Sequence, residues 1–348
     1  MSPRGRRPAG AANGDAASDG VTSDGVTSGG VTSGGVTSGG VDVRPVRRER
    51  RHTLYFLGDV RRFSPVHLDT EVDMSAVLRH RDEAARAGRR YSVVSYVLHA
   101  GGRTLAAHPE ANAAIGGRLR PKVARFATVS GKLTLDRTLS GQRVVLAAVL
   151  QGLDRATLDE IQATVDHYRD GDPESMPEFA GTRALHRLPA PVARAAYRRV
   201  ASPLARRAAV RGTFSVTSLG HRPVDGFHSV GGTTITLGVG QIAERPVVRA
   251  SAVTTAPLLR LSLTFDHRVI DGAEAADVLA DLRAALETFG AAEPDQPSTD
   301  PAATGSAATG SAATGSTPAG PAAAGSAGPA AASSPDGSLN GSLEGLPR

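Results

Sequence analysis

His267 and Asp271, four residues apart in Phe265-Asp-His-Arg-Val-Ile-Asp-Gly-Ala273, are the side chains whose types and spacing best suit proton transfer. An imidazole with an ordinary pKa of about 6.5 is mostly neutral at pH 7 and can take a proton there. A plainer reading also fits these residues. A histidine at a strand end can be a hydrogen-bonded structural residue, and Asp271, with Glu274 three residues on, can cap a helix.

The elements that must hold them are legible in the flanking pattern. Leu261, Leu263 and Phe265 alternate with Ser262 and Thr264, the period of a strand with one buried face. After Asp271-Gly272 the period changes, and Ala275, Val278, Leu279, Leu282 and Leu286 recur at three and four residues. That spacing predicts an amphipathic helix over 273–288 and places His267 where strand gives way to helix.

The segment from Phe265 to Ala273 resembles the His-x-x-x-Asp-Gly signature of the acyltransferase components of 2-oxoacid dehydrogenase complexes. Upstream, Gly212-Thr-Phe-Ser-Val-Thr-Ser-Leu-Gly220 is similar to that family's Gly-Thr-Phe-Thr-Ile-Ser-Asn-Leu-Gly. Leu237-Gly-Val-Gly-Gln-Ile-Ala-Glu-Arg-Pro-Val-Val248 resembles the strand and turn that follow it, and His108-Pro-Glu-Ala-Asn112 the family's Tyr-Pro-Glu-Val-Asn.

The resemblance implies an α/β fold, a two-layer mixed-sheet sandwich of the chloramphenicol acetyltransferase-like type. It implies an acyltransferase in which His267 is the general base and the Thr217 hydroxyl donates to the oxyanion, with Thr standing where most members have Ser. Asp271 is then structural, paired with an arginine from the N-terminal part of the domain; Arg61 or Arg62 is the expected partner. Coenzyme A or acyl-coenzyme A is the implied substrate, no metal is expected, and the implied assembly is a homotrimer with its channel between subunits. The competing reading is a non-catalytic trimeric scaffold of the same fold.

Two departures limit the analogy. Val230-Gly-Gly232 stands where the family has Asn-Pro-Pro. The only lysines, Lys122 and Lys132, sit in Pro-Lys-Val and Gly-Lys-Leu, so no lipoyl-lysine is expected on this chain, and a lipoyl-bearing or carrier protein would act in trans.

The 348 residues divide by composition. Residues 1–43 carry a Gly-Val-Thr-Ser repeat and 291–348 are rich in Ala, Gly, Ser and Pro; neither buries enough apolar surface to offset ordering entropy, so both are expected as disordered tails. Residues 44–290 form the catalytic domain, with an Arg/Ala/Pro-rich insertion over 173–211. Further elements are expected as a helix from Ser75, a helix over 91–105, strands over 125–135 and 142–150, and a helix over 153–165.

With no cysteine, neither disulfides nor a thiol nucleophile is available. No apolar run approaches the roughly 18 residues of a membrane span, so no membrane partner is expected and the cytoplasm is the default. The net charge of +6 gathers in Arg44–His52 and over 183–211. These runs lack the interleaved aromatics of an RNA-binding sheet, and they suit a phosphate-bearing cofactor better than nucleic acid.

Overall fold

The computed structural model describes residues 44–117 and 119–291, together with the short strand pair β1 (Thr37–Ser38) and β2 (Val41–Asp42). The leader repeats before it and the tail after residue 291 lie outside the described residues, as do the expectations made for them. A short helix α1 (Arg51–Val60) precedes β3 (Pro65–Asp73), α2 (Ser75–Arg86) and α3 (Val93–Ala107). Strands β4 (Ala113–Gly116) and β5 (Lys122–Arg125) pair only with each other. Then come the hairpin β6 (Gly131–Leu139) and β7 (Gln142–Leu150), and α4 (Leu158–Asp170). The 173–211 stretch folds as α5 (Ala180–Arg187), α6 (Ala190–Ala201) and α7 (Leu204–Arg211). Strands β8 (Phe214–Ser218), β9 (Ile235–Arg249) and β10 (Ala252–Asp266) and helix α8 (Gly272–Glu287) complete the described residues.

Six strands form one sheet in the order β3-β10-β9-β8-β6-β7. Strand β8 runs parallel to both β6 and β9, and the other pairings are antiparallel, so the sheet is mixed, as expected. Its two faces follow from alternation. Leu261, Leu263 and Phe265 of β10, Ile235 and Leu237 of β9, and Phe214 and Val216 of β8 are fully buried against α3, α8, α2 and α4, where Leu98, Val278, Val77 and Ile161 complete the core. A two-layer sandwich results, with α2, α3, α4 and α8 on one face.

The other face is polar. One row crosses five strands, Lys132 opposite Ser215, Ser215 opposite Thr236, Thr236 opposite Thr264, and Thr264 opposite His67. Part of this face is roofed by α1, whose Phe56 ring lies 4.8 Å from the Lys132 ammonium; α5 and α6 pack on α1, and α7 packs on α6 and β7. Gly212 makes the turn from α7 into β8 with a φ of 72°, and a Cβ there would stand 2.8 Å from the Ser130 carbonyl oxygen. Only glycine fits such a turn.

Three boundaries differ from the sequence expectation. Helix α4 starts at Leu158 rather than 153, because Thr157 and Glu160 form a reciprocal capping box that fixes its first turn. The strand expected over 125–135 is two strands, β5 and β6; between them the Asn112 amide donates to the Phe126 and Thr128 carbonyls and draws the chain out of the sheet. The 173–211 stretch, expected only as an Arg/Ala/Pro-rich insertion, is divided into helices, with α6 ending before Pro203 and α7 beginning after it.

Candidate active site

His267 is the first residue past β10, and its backbone is held on every side. The Asp266 amide donates to the Thr234 carbonyl at 3.0 Å and the His267 amide to the Ser64 carbonyl at 2.9 Å. The buried Asp266 carboxylate accepts from Arg268 Nε at 2.8 Å and from a second guanidinium nitrogen at 2.5 Å, and the Arg268 guanidinium lies 5.0 Å from the Phe63 ring. A charge-assisted fork of this kind fixes the turn that carries the imidazole. The ring itself is 46% exposed and open to a ligand.

Asp271 approaches that ring, with Oδ1 3.4 Å from His267 Nδ1. An ionised carboxylate only accepts, so this contact favours the tautomer with its proton on Nδ1 and leaves Nε2 with a lone pair. Asp271 is 89% exposed, and among the described residues no arginine pairs with it; Arg61 and Arg62 do not reach it within this chain. Asp271 does occupy the N-cap position of α8, but its side chain caps nothing. Glu274, the expected other half of a capping box, instead meets His108 Nδ1 at 3.0 Å, while His108 Nε2 meets Asp281 at 2.8 Å.

Thr217 lies on the polar face of β8, half-buried. Thr134 of β6 donates its hydroxyl to Thr217 Oγ1 at 2.7 Å. With its lone pair so engaged, the Thr217 hydroxyl has its own proton free to donate. The sequence reading passed over Thr134; alternation in β6 puts it on the Lys132 face, the signal that could have found it.

The fold brings His267 and Asp271 together but keeps Thr217 apart. Thr217 is opposite Gly238, and Gly238 is opposite Ser262. His267 is five residues further along β10 and two strands over, which amounts to roughly 20 Å at ordinary strand spacings. Within one chain the two cannot share a reacting atom.

Other polar groups line the same face. His67 Nδ1 and Thr264 Oγ1 are 2.9 Å apart, the His67 and His228 rings are 4.9 Å apart, and desolvation followed by repulsion from His228 holds the His67 pKa below its usual value. Ser262 Oγ is buried with no partner. Lys132 is 5% exposed, donates to the Gly231 carbonyl, and has its pKa pushed down to about 7 by burial and then by Arg211. Among the described residues no three His, Asp or Glu side chains converge as metal ligands, and no helix is long and apolar enough to cross a membrane.

Residues 180–292 match the family model of the 2-oxoacid dehydrogenases acyltransferase catalytic domain, a match that begins inside the stretch expected as an insertion. Over 50 residues the chain is 50% identical to the dihydrolipoyllysine-residue acetyltransferase component of the pyruvate dehydrogenase complex of Bacillus subtilis strain 168, covering 14% of this chain and 11% of that protein. The corresponding Staphylococcus aureus Mu50 component is 44% identical over 50 residues, 14% of this chain and 12% of its own. The match thus spans about a tenth of the length of these relatives.

Solved structures extend the likeness in shape. Azotobacter vinelandii dihydrolipoamide acetyltransferase superposes with a TM-score of 0.54 at 21% identity, covering 71% of this chain and 91% of that one. The cubic core of the pyruvate dehydrogenase multienzyme complex gives 0.53 at 21%, over 71% and 91%. A truncated catalytic core of the 2-oxoacid dehydrogenase multienzyme complex from Thermoplasma acidophilum gives 0.52 at 20%, over 72% and 100%. The His267 turn thus lies inside a segment similar to the catalytic domain of the 2-oxoacid dehydrogenase acyltransferases, and residues beyond that segment share the fold of these solved cores.

Proposed function

We propose that the protein is an acyltransferase that moves an acyl group from a thioester, of coenzyme A or lipoyl type, to a thiol, hydroxyl or amine acceptor. The observation that carries this reading is His267 on a clamped strand end, Nδ1 toward Asp271 and Nε2 open. Nε2 takes the acceptor's proton as the acceptor attacks the thioester carbonyl carbon. The oxyanion accepts a hydrogen bond from the Thr217 hydroxyl. Collapse of the tetrahedral adduct breaks the carbon–sulfur bond, and the leaving thiolate recovers the proton from His267. No acyl-enzyme forms.

The separation of His267 from Thr217 supports a site shared between copies, His267 of one chain facing Thr217 of the next, in a homotrimer. Relatives of this fold form the core of a multienzyme complex. In the Azotobacter vinelandii enzyme a serine, a histidine and an asparagine four residues after that histidine have roles in the catalytic mechanism. Here Thr217, His267 and Asp271 would take those places, with a carboxylate for the amide. Any lipoyl group would come in trans, and the cytoplasm is the compartment this reading assigns.

Thiol release from a panel of acyl-coenzyme A donors, with dihydrolipoamide and small alcohols or amines as acceptors, tests the reading. His267→Ala is expected to lower turnover about 10²- to 10⁴-fold and Thr217→Ala about 10²- to 10³-fold. Mixing the two inactive variants under refolding should restore activity, because a shared site regains one intact pair in hybrid trimers. Turnover unaffected by His267→Ala, or no turnover by the folded wild type with any pair, would favour the scaffold.

A further inference from the structure

Where α7 meets α1 and the polar sheet face, Lys132, Arg207 and Arg211 are three buried or partly buried cations, and among the described residues Asp59, on Arg211, is the one carboxylate paired with any of them. Lys132 is 5% exposed and Arg211 6%, and Arg207, one helical turn before Arg211 on α7, is partly buried. Asp59 is paired with Arg211 alone. Lys132 has a carbonyl and an aromatic face but no carboxylate. Arg207 gives one terminal nitrogen to the Ile115 carbonyl at 3.1 Å. The Nε groups of Arg207 and Arg211 are both buried and have no acceptor.

Burying one unpaired cation is costly, and burying three against one carboxylate with two guanidinium N–H groups unanswered leaves an arrangement that lacks an anion. The cations also influence one another. Burial first, and Arg211 after it, lower the proton affinity of both Lys132 and Arg207, and Arg207 also feels Arg268 and Asp266, the pair that clamps the His267 turn. The cluster is therefore electrostatically joined to the base end of the proposed site. Arg207 is the least buried of the three. Guanidinium forks suit planar or tetrahedral oxyanions, and a lysine adds a point charge.

We infer that Lys132, Arg207 and Arg211 form a binding site for one small oxyanion, either the carboxylate of an acidic acyl group or acceptor, or a free phosphate. The site stands on the cation geometry alone; only the first source rests on the acyltransferase reading.

Calorimetric titration of the full chain at pH 6 and constant ionic strength, with succinate and with inorganic phosphate against chloride, tests the site without catalysis. Saturable binding is expected, weakened at least tenfold in both Arg207→Gln and Lys132→Met, each checked for a native circular dichroism spectrum. A second arm compares the KM for succinyl-coenzyme A with that for acetyl-coenzyme A. A substrate carboxylate predicts that the ratio of the two rises at least tenfold in Arg207→Gln. An unchanged ratio beside variant-sensitive phosphate binding assigns the site to free phosphate. Absence of saturable binding of either anion, or binding that neither variant weakens, overturns the proposal, whether or not any donor is turned over.

Discussion

Replacing Lys132 by Met should stabilise the protein near neutrality, by an amount that fades in alkali. Burial holds the folded-state pKa near 7, against an ordinary value of 10.5. Between those values the unfolded chain keeps a proton that the folded chain has released, so stability rises by about 1.4 kcal/mol per pH unit across the window. The whole difference, about 5 kcal/mol, weighs on the folded state below pH 7, about 4 kcal/mol at pH 7, and none above 10.5. Against this, Met gives up the bond to Gly231 and the contact with the Phe56 ring, together about 1 kcal/mol; the Gly231 carbonyl keeps the Ser215 hydroxyl at 3.4 Å.

The expected gain is thus about 3 kcal/mol at pH 7, or about 6–12 °C in melting temperature for a domain of this size. Denaturant melts of both proteins at pH 7, 8.5 and 10, in buffers free of phosphate and carboxylates, measure the difference directly and cancel the other alkaline groups. A difference that shrinks steadily toward pH 10 confirms an uncompensated buried amine. Parallel curves with the Met variant less stable would refute the reasoning, since they would mean that Lys132 is held by a counter-charge.

Two further predictions concern histidines that tie elements together. His108 joins α3 to Glu274 and Asp281 of α8, and although desolvation is the largest single influence on it, the bonds to those carboxylates prevail and raise its pKa. Its added stability is therefore complete below pH 6.5 and lost as pH rises through the folded-state value; His108→Gln should cost about 1 kcal/mol at pH 6 and less at pH 8.5 in chemical denaturation, and an equal cost at both would contradict the assignment. His52 of α1 and His186 of α5 meet at 3.0 Å with His52 Nε2 donating to the Val145 carbonyl; with both rings neutral, as burial favours, His52 Nδ1 accepts from His186 Nε2. Burial lowers both pKa values, so the contact weakens as pH falls below 6.5; hydrogen exchange in α1 and α5, corrected for intrinsic rate, should quicken at pH 5.5, and unchanged protection there would count against it.

The elements that carry His267 and Asp271 were legible in the sequence because their signals are local. The switch from alternation at Leu261–Phe265 to three-and-four spacing at Ala275–Leu286 marks the end of β10 and the body of α8 within a few residues. What was illegible depends on partners far away in the chain. Glu274 has the right spacing for a capping box, yet His108, 166 residues upstream, claims it. Alternation in β6 assigns Lys132 to the polar face correctly, but only the arrival of α1 from eighty residues earlier makes that face an interior. Likewise the His267–Thr217 separation is a property of strand register, which no short motif encodes.

That register also explains how one sheet serves folding and chemistry at once. Because successive side chains point to opposite faces, each leucine committed to the α3 and α8 core leaves its neighbours on the other side. There the chain places Ser215, Thr217, Thr236, Ser262, Thr264, Lys132 and His67, several of them buried, and one of them, Ser262, without a partner. A face built only for stability would carry apolar residues at these positions, as replacing buried polar networks with packed apolar side chains is often neutral or stabilising. Most of the row is satisfied within the chain, Lys132 by Gly231, Thr217 by Thr134 and Thr264 by His67, and Ser262 is the member left without a partner. On the proposed readings, substrate would meet Thr217, an oxyanion the Lys132 cluster and a neighbouring copy the exposed His267 edge. The stability that Lys132→Met restores is the measure of what this face holds in reserve for binding.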